Sequence, residues 1–425
     1  MQRYIDCLII IGLVLLAPTG WAQSGYVEVR VSGQQGVDGT PWQLVERWRP
    51  RFNTEINERI ALFTELEISF QQGRRLSEEI RQIIEASDFG PLLSDAGIVW
   101  PEPANDVLGI DGVDDYLNVA RVYVDLYQPD FDLRLGRQAI HWGSAAFLNP
   151  TDPFPELLIA EPWRPRRGMN AARMLMPIGE VSDLTTVVGT NDSWTTIRAA
   201  SRLRTTLALA DLSVIAAYRG DDDDGFVGCD LRGTYGVGYW LEAALWSGDW
   251  NTFDAAIGFD YSIDSVLEGV TLMVQYFYNG RGASETAEIG LESLDLESSL
   301  GFEQSNNPEE DSVFGPILSG RHYAMSAVNV SVSLDAFLGV AGLMNLKDGT
   351  GFVVPTLSYR PTDWSEASLT VEIPFALDRG GGEFYPSDES LVYSRSLDEG
   401  SDALQVDFSG LRPDATATVW YRVSY

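Results

Sequence analysis

The sequence predicts an all-β fold, a transmembrane antiparallel β-barrel of about 14–16 strands. Segments alternate apolar and polar residues with a period of two, and their apolar runs have the roughly 9–11 residues that a tilted strand needs to cross hydrocarbon. The chain also ends on Tyr425, inside such an alternating segment. After the N-terminus, no stretch approaches the roughly 18 apolar residues of a spanning helix, which leaves a closed barrel as the membrane structure.

The N-terminus has the pattern of a secretory signal peptide. Arg3 precedes an apolar run over 8–17, and Gly20-Trp21-Ala22 is a small-x-small cleavage pattern. We expect 1–22 to be a leader and 23–425 to form a single barrel domain. Export through the periplasm would deliver this barrel to the outer membrane of a Gram-negative bacterium.

Clean alternation defines most of the predicted strands, and one stretch, 226–246, fits either one long strand or two short ones. The alternating segments are 60–70, 120–126, 131–135, 197–209, 253–261, 367–375, 404–408 and 415–425. A soluble β-sandwich, propeller or solenoid would alternate too. Tryptophans near strand ends favour the barrel, because aromatic belts lie at membrane interfaces; they are Trp142, Trp194, Trp246, Trp250, Trp364 and Trp420.

Loops of unequal length separate these strands. Long, mostly acidic polar stretches are expected at about 73–115, 143–168, 281–320 and 376–401. Segment 77–86 has the pattern of a short helix, on the surface or partly plugging the lumen. The net charge of −33 excludes nucleic-acid binding through a basic face.

Charged residues opposite the apolar faces are candidates to line a pore. In 197–209 the outward apolar residues turn Arg198, Arg202 and Arg204 inward. Such charges would set ion preference in a lumen, or would pair across strands and stabilise the wall. The full candidate set is Arg121, Asp125, Asp132, Arg134, Arg198, Arg202, Arg204, Asp254, Asp260 and Glu372.

A second set of candidates surrounds stretch 143–168. Leu135 faces outward, so Arg137 would face lipid unless Gly136 forms a bulge or the strand ends near Arg137. The loop that follows could fold into the barrel as a constriction. Alternatively, Asn149-Pro150 and Asp152-Pro153 could simply form turns. The motif and constriction candidates are Arg137, Gln138, Trp142, Asn149 and Asp152.

The same region carries a resemblance. The segments LRLGRQAIHWG (133–143), NPTD (149–152) and RRGMNAARMLMPIG (166–179) resemble a poorly characterised group of Gram-negative outer-membrane porin-like proteins. Alginate-export barrels carry a comparable G-R-Q strand. The resemblance implies a transport barrel without naming its cargo.

The predicted function is a porin-like channel for passive passage of small polar or anionic solutes. The alternative is a barrel for polymer (polysaccharide) export, or a structural or docking protein. An enzyme is not expected: Ser144 follows His141 by three residues and Ser326 follows His322 by four, spacings that do not place either pair side by side.

We expect no cofactor and no metal, since Cys229 is the one cysteine after the leader. Expected partners are outer-membrane lipid and lipopolysaccharide, small solutes, and the barrel-assembly machinery through the C-terminal strand ending in Tyr425. The sequence leaves open a monomer or a trimer.

Overall fold

The computed structural model describes residues 23–35, 42–74, 114–154, 166, 168–190, 194, 196–220, 224–248, 252–282, 318, 320–377, 382–385, 392–395, 404–407 and 414–425. Its twenty strands are β1 (Ser24–Gln35), β2 (Trp42–Asn57), β3 (Ile60–Arg74), β4 (Asp114–Tyr127), β5 (Asp132–Gln138), β6 (Met169–Ile178), β7 (Ser182–Thr190), β8 (Ile197–Leu207), β9 (Ala210–Arg219), β10 (Asp224–Tyr235), β11 (Val237–Trp246), β12 (Phe253–Ile263), β13 (Val270–Tyr278), β14 (His322–Ser331), β15 (Ala336–Asn345), β16 (Thr350–Thr362), β17 (Ser365–Ala376), β18 (Val392–Arg395), β19 (Leu404–Asp407) and β20 (Ala415–Ser424).

Eighteen of these strands form one closed antiparallel barrel. Each strand from β1 to β16 pairs with the next, β17 pairs with β20, and β20 closes the ring against β1. The predicted all-β barrel is therefore confirmed. The predicted count of about 14–16 strands is wrong, because the barrel has 18.

Three local features separate the predicted strands from the observed ones. The ambiguous stretch 226–246 is two strands, β10 and β11, joined at Gly236, whose φ of +74° suits glycine. The alternation of apolar and polar residues fails in β2. Val45 and Arg47 both face the lumen there, and Glu46 faces outward. Segment 404–408 was expected in the wall, but β19 pairs with β18 in a separate two-stranded sheet.

The outer face of the barrel is apolar. Large side chains stand exposed at the outward positions of successive strands, among them Val188, Leu203, Val214, Val227, Leu241, Ile257, Val274, Val340, Leu357, Leu369 and Val419. This belt meets lipid tails in a membrane. The described residues include no helical segment able to span a bilayer.

The predicted aromatic belt is only partly correct. Trp194 and Trp364 are exposed, but Trp142, Trp246 and Trp420 are almost completely buried. Trp142 and Trp246 belong to an apolar cluster inside the barrel, so they do not lie at a lipid interface. Trp250 and the predicted helix over 77–86 lie outside the described residues, as does the predicted leader.

The two rims differ in the length of their connections. At one rim, which we call the short-turn rim, residues 58–59, 128–131, 179–181, 208–209, 236, 264–269, 332–335 and 363–364 join the strands. At the other, the long-loop rim, the connections include 75–113, 139–168, 279–321 and 377–414. In outer-membrane barrels long loops face the outside and short turns face the periplasm.

The predicted bulge at Gly136 is wrong, and the strand end predicted as its alternative is present. The β4–β5 and β5–β6 registers run without a shift through Gly136, and β5 ends at Gln138, one residue after Arg137. A Cβ at position 136 would collide with the carbonyl oxygen of Val122, and φ is +127° there. The register instead shifts between Glu65 and Leu66, opposite Ala120.

Candidate functional site

Residues 139–154, here called the inner loop, leave the end of β5 and enter the barrel. Ile140, Trp142 and Phe154 are buried in one apolar cluster with wall residues of β7–β11, including Val187 and Ile215. Ala145, with Phe147 and Leu148 beside it, packs in a second cluster on β11–β16. Apolar side chains thus point from the wall toward the lumen where the inner loop covers them. Burial of this surface favours the docked loop.

A single carboxylate on β11 holds both arms of the inner loop. Oε1 of Glu242 accepts hydrogen bonds from the backbone N–H groups of Ser144 (2.5 Å) and Ala145 (2.7 Å). Oε2 accepts from the hydroxyl of Thr151 (2.7 Å) and from its N–H (3.3 Å). Glu242 is completely buried. A buried carboxylate is costly without such donors, so Glu242 and the loop stabilise each other.

Polar groups on neighbouring strands add to this attachment. The carboxamide of Gln275 on β13 accepts from the N–H of Phe147 (3.1 Å) and donates to the carbonyl of Leu148 (2.8 Å). The Ser144 hydroxyl donates to Asp230 on β10. Arg232 donates to the Ser144 carbonyl (3.2 Å). Strands β10 to β13 therefore contact the loop through side chains that are fixed by the sheet.

Asp152 organises the far end of the inner loop. Its Oδ1 caps the N–H of Phe154 at 3.0 Å, and its Oδ2 lies 2.8 Å from Nδ1 of His141 and 3.5 Å from Nη1 of Arg166. The Asp152 N–H donates to the carbonyl of Asn149 at 3.1 Å, which closes a turn. Asp152 is buried, while the His141 side chain is 40% exposed.

The other motif candidates lie at the base of the loop. Gln138 is completely buried and donates its side-chain amide to the carbonyl of Ala171 on β6 at 3.0 Å. The side chain of Asn149 lies against Gly143, which has a φ of +90°. Arg137 is partly buried at an outward register position, next to Gly168.

A network of arginines and glutamates covers the lumen wall from β20 to β4. Glu28 on β1 accepts from Arg422 (2.5 Å), and Arg47 lies 2.9 Å from Glu67. The network continues through Arg49, which lies 3.1 Å from Glu67. Glu65 on β3 then pairs with Arg51 (2.8 Å) and with Arg121 on β4 (3.5 Å). Sequence reasoning had placed Arg121 in the lumen but had not found its partner, Glu65 on β3.

The remaining predicted lumen residues fall into different environments. Arg134 holds both oxygens of Asp125, at 2.6 and 2.9 Å, and Arg204 donates to Asp183 at 2.9 Å. Arg202 lies over the Trp142 ring at 5.1 Å. Arg198 is buried and donates to the Pro153 carbonyl at 3.3 Å.

Four predicted acids complete the set. Asp254 is buried and accepts from the Trp246 indole (2.8 Å), the Gly280 N–H (2.9 Å) and Arg281 (3.4 Å). Asp260 lies 3.9 Å from Arg232. Asp132 is exposed next to the short turn 128–131, and Glu372 on β17 is partly buried opposite Thr416.

Arginine is the more exposed partner in the ion pairs that reach lumen water. The side-chain exposures of arginine and carboxylate are 36% and 0% for Arg51–Glu65, 25% and 14% for Arg134–Asp125, 50% and 13% for Arg204–Asp183, and 57% and 31% for Arg232–Asp260. Although each pair is neutral overall, its guanidinium group is therefore the part that faces the solvent.

These cations are unevenly distributed around the barrel. The seven strands from β11 to β17 contain one arginine, Arg360, and no lysine. Strand β2 alone contains three arginines and β8 another three. One side of the lumen carries most of the cations, and the other carries the carboxylates of Glu242, Asp254, Asp260 and Glu372 among hydroxyl, amide and apolar groups.

Neither histidine lies beside the serine considered at the sequence level. The Ser144 hydroxyl is engaged by Asp230, while His141 is engaged by Asp152. His322 is on the outward face, 2.7 Å from the Tyr276 hydroxyl. In the part of the chain that is described, no three His, Cys, Asp or Glu side chains are grouped to hold a metal ion.

Comparison with solved structures identifies the fold. OccK8 (OprE) of Pseudomonas aeruginosa is similar with a TM-score of 0.52 and 7% identity, over 95% of this chain and 97% of that one. OccAB4 of Acinetobacter baumannii is similar with a TM-score of 0.50 and 8% identity, over 95% and 97% of the two chains. No family model and no curated protein matches the sequence, so the resemblance to a porin-like group, and to alginate-export barrels, stays a prediction.

The fold and the apolar outer face define an outer-membrane β-barrel. Its belt is in contact with lipid, as expected for a protein of the outer membrane.

Proposed function

We propose that this chain is a passive outer-membrane channel for small polar solutes that prefers anions. The inner loop narrows the lumen, and the exposed arginines of the lumen ion pairs select for negative charge. The observation that carries the proposal is the exposure difference within the lumen ion pairs, in which the guanidinium faces water and the carboxylate is covered. An anion that moves through the lumen therefore encounters exposed guanidinium groups.

The attachment of the inner loop supports a constriction role. Glu242 and Gln275 hold its backbone, and two apolar clusters hold its side chains, so the loop is fixed on one half of the wall. A rigid loop inside the barrel restricts the passage by size. This arrangement favours small solutes over the alternative of polymer export.

Planar-bilayer conductance combined with liposome swelling tests the channel. The purified protein should give discrete conductance steps in KCl, and liposomes should swell in small anionic solutes faster than in neutral solutes of equal size. A protein that inserts but never conducts, in any salt, would contradict the proposal. Normal solute uptake with an altered surface polymer in a deletion strain would favour the export alternative.

Two regions of the barrel have expected partners in the outer membrane. We infer that lipopolysaccharide surrounds the long-loop rim and that the assembly machinery binds β20 before the barrel closes. In the closed barrel Tyr425 and Gly25 exchange two backbone hydrogen bonds of 3.1 Å, and the Tyr425 hydroxyl accepts from the Trp48 indole at 2.7 Å. Catalysis is not part of the proposed function.

A further inference from the structure

A cavity of about 290 Å³ opens on the lumen wall formed by β14, β15 and β16. It lies beyond the inner loop, toward the short-turn rim. The loop packs on Met325 and Leu343, and the cavity occupies the rows of the sheet that follow them. A solute that passes the loop therefore reaches this wall next.

Glycine at one register position creates the cavity. Asn329, Gly339 and Thr356 form one row across the three strands, and Ser331, Phe337 and Ser358 form another. A Cβ at position 339 would lie 3.0 Å from Oδ1 of Asn329 and 3.8 Å from Cβ of Thr356. The missing side chain thus leaves a hollow between an amide and a hydroxyl.

The lining combines groups that recognise a sugar ring. Phe337 offers an apolar face to C–H groups, and the Asn329 amide both donates and accepts hydrogen bonds. Thr356 and Ser358 bond to Thr370 (3.3 Å) and Ser368 (3.0 Å) on β17. Each hydroxyl has one donor and two acceptor sites, so both keep capacity for a ligand. Within the described chain the exposed Asn329 side chain makes no hydrogen bond.

Arg360 completes this surface. Its guanidinium lies 5.0 Å from the centre of the Phe337 ring and 3.6 Å from Glu366, and its side chain is 54% exposed. An exposed guanidinium donates to sugar hydroxyls and to a ring carboxylate alike.

We propose that this cavity is a binding subsite for a pyranose sugar, neutral or bearing a carboxylate. The inference rests on the proposed channel function for its place on a solute path, but its ligand chemistry comes from the cavity. The subsite would hold a sugar weakly and raise its local concentration beyond the constriction. A weak site that releases its ligand speeds passage, whereas a tight one would block it.

Two glycine variants on one strand test the subsite. Gly339→Val fills the hollow, whereas Gly342→Val places the same side chain on the outer face, where a Cβ would lie 3.5 Å from the nearest atom, the Phe352 carbonyl oxygen. Valine suits a strand, so both variants should fold as barrels. Asn329→Leu is a second probe that removes the amide without filling the hollow.

Ion current through single channels is recorded with glucose, glucuronate or propionate added. We expect both sugars to interrupt the current of the native protein and of Gly342→Val, with propionate having no such effect. Gly339→Val and Asn329→Leu should raise the apparent Kd for sugar by about tenfold or more. Three results would overturn the subsite. They are a conducting channel whose current neither sugar interrupts, a Gly339→Val variant with the native response to sugar, and interruption by propionate as frequent as that by the sugars.

Equilibrium dialysis of radiolabelled glucose against the detergent-purified protein separates the two proposals. Absence of any conductance contradicts the channel, and dialysis still reports on the cavity. Sugar retained by native protein and by Gly342→Val, but not by Gly339→Val, supports the subsite. Equal or absent retention by all three proteins overturns it.

Discussion

The carboxylate of Glu242 accepts hydrogen bonds from both the hydroxyl and the N–H of Thr151, a residue 91 positions earlier in the chain. The same carboxylate holds Ser144 and Ala145, so one wall residue fixes both arms of the inner loop. The constriction that we propose therefore depends on a side chain outside the loop.

Removal of this carboxylate should release the loop. Hydrogen bonds to a charged acceptor contribute about 1.5–3 kcal/mol each, so Glu242→Ala should cost several kcal/mol of loop attachment. We expect noisier single-channel current with a changed mean conductance. Glu242→Gln keeps one acceptor oxygen and should be intermediate. Glu268→Gln, in the turn 264–269, is the matched control, and a Glu242→Ala current identical to the native one would contradict the assigned role.

A steric change at the same contact should act in the same way. A Cβ at Gly228 would lie 3.0 Å from Cγ2 of Thr151 and 2.8 Å from the carbonyl oxygen of Ala243. Gly228→Val should displace Thr151 and reproduce the Glu242→Ala current. Cys229→Val, on the exposed outward face of the same strand, should leave the current unchanged. If Gly228→Val unfolds, the smaller change Gly228→Ala is measured instead. A native current in Gly228→Ala would contradict the role of the Thr151 contact in fixing the loop.

The Arg134–Asp125 pair should control charge selectivity with opposite signs. Arg134→Gln uncovers a carboxylate and should reduce the preference for anions, whereas Asp125→Asn leaves the guanidinium unpaired and should increase it. The measurement is the reversal potential in a KCl gradient. Shifts of both variants in the same direction would show that the pair does not face the ion path.

The three arginines of β8 should not behave as a uniform ladder. Arg204→Gln uncovers Asp183 and should reduce anion preference, because Arg204 is half exposed. Arg198→Gln should loosen the loop instead, since buried Arg198 donates to the Pro153 carbonyl. Arg59→Gln, an exposed residue of the turn 58–59, controls for net charge. Equal reversal-potential shifts from the two β8 variants, without added current noise, would contradict this division.

Asp254 should act on stability rather than on selectivity. It is the acceptor for the buried Trp246 indole, and Arg281 lies 3.5 Å above the same ring. Asp254→Ala leaves that N–H unpaired, which costs about 1–3 kcal/mol. The variant should lose its barrel structure at a lower temperature, measured by circular dichroism, with the reversal potential near the native value. An unchanged unfolding temperature would contradict this role.

Alternation, the length of the apolar runs, the tryptophans near strand ends and the aromatic C-terminal residue together predicted the barrel, but alternation could not count its strands. Segment 415–425 alternates cleanly and is β20, because one side faces lipid and the other faces hydroxyls and water. In β2 the arginines pair with glutamates of β1 and β3, and such partners are distant in sequence. Alternation therefore does not identify β2 as a strand, because charged and apolar residues share one of its faces.

The loop anchors illustrate a second limit. Glu242 and Gln275 look like ordinary lumen residues until the inner loop is placed against them. One signal was available: β11 has Trp240 and Trp246 on the same face as Glu242, so both faces of this strand are apolar. A strand that is apolar on both faces indicates a covered inner wall. The motif around Gln138 and Trp142 located the loop, but not the wall it contacts.

The reversal potential of the native channel in a KCl gradient tests the central claim most directly. The exposed arginine edges predict a potential displaced toward the chloride equilibrium value, with the displacement shrinking as ionic strength rises because salt screens exposed charges. A potential displaced toward the potassium value at every ionic strength would contradict a lumen that selects anions.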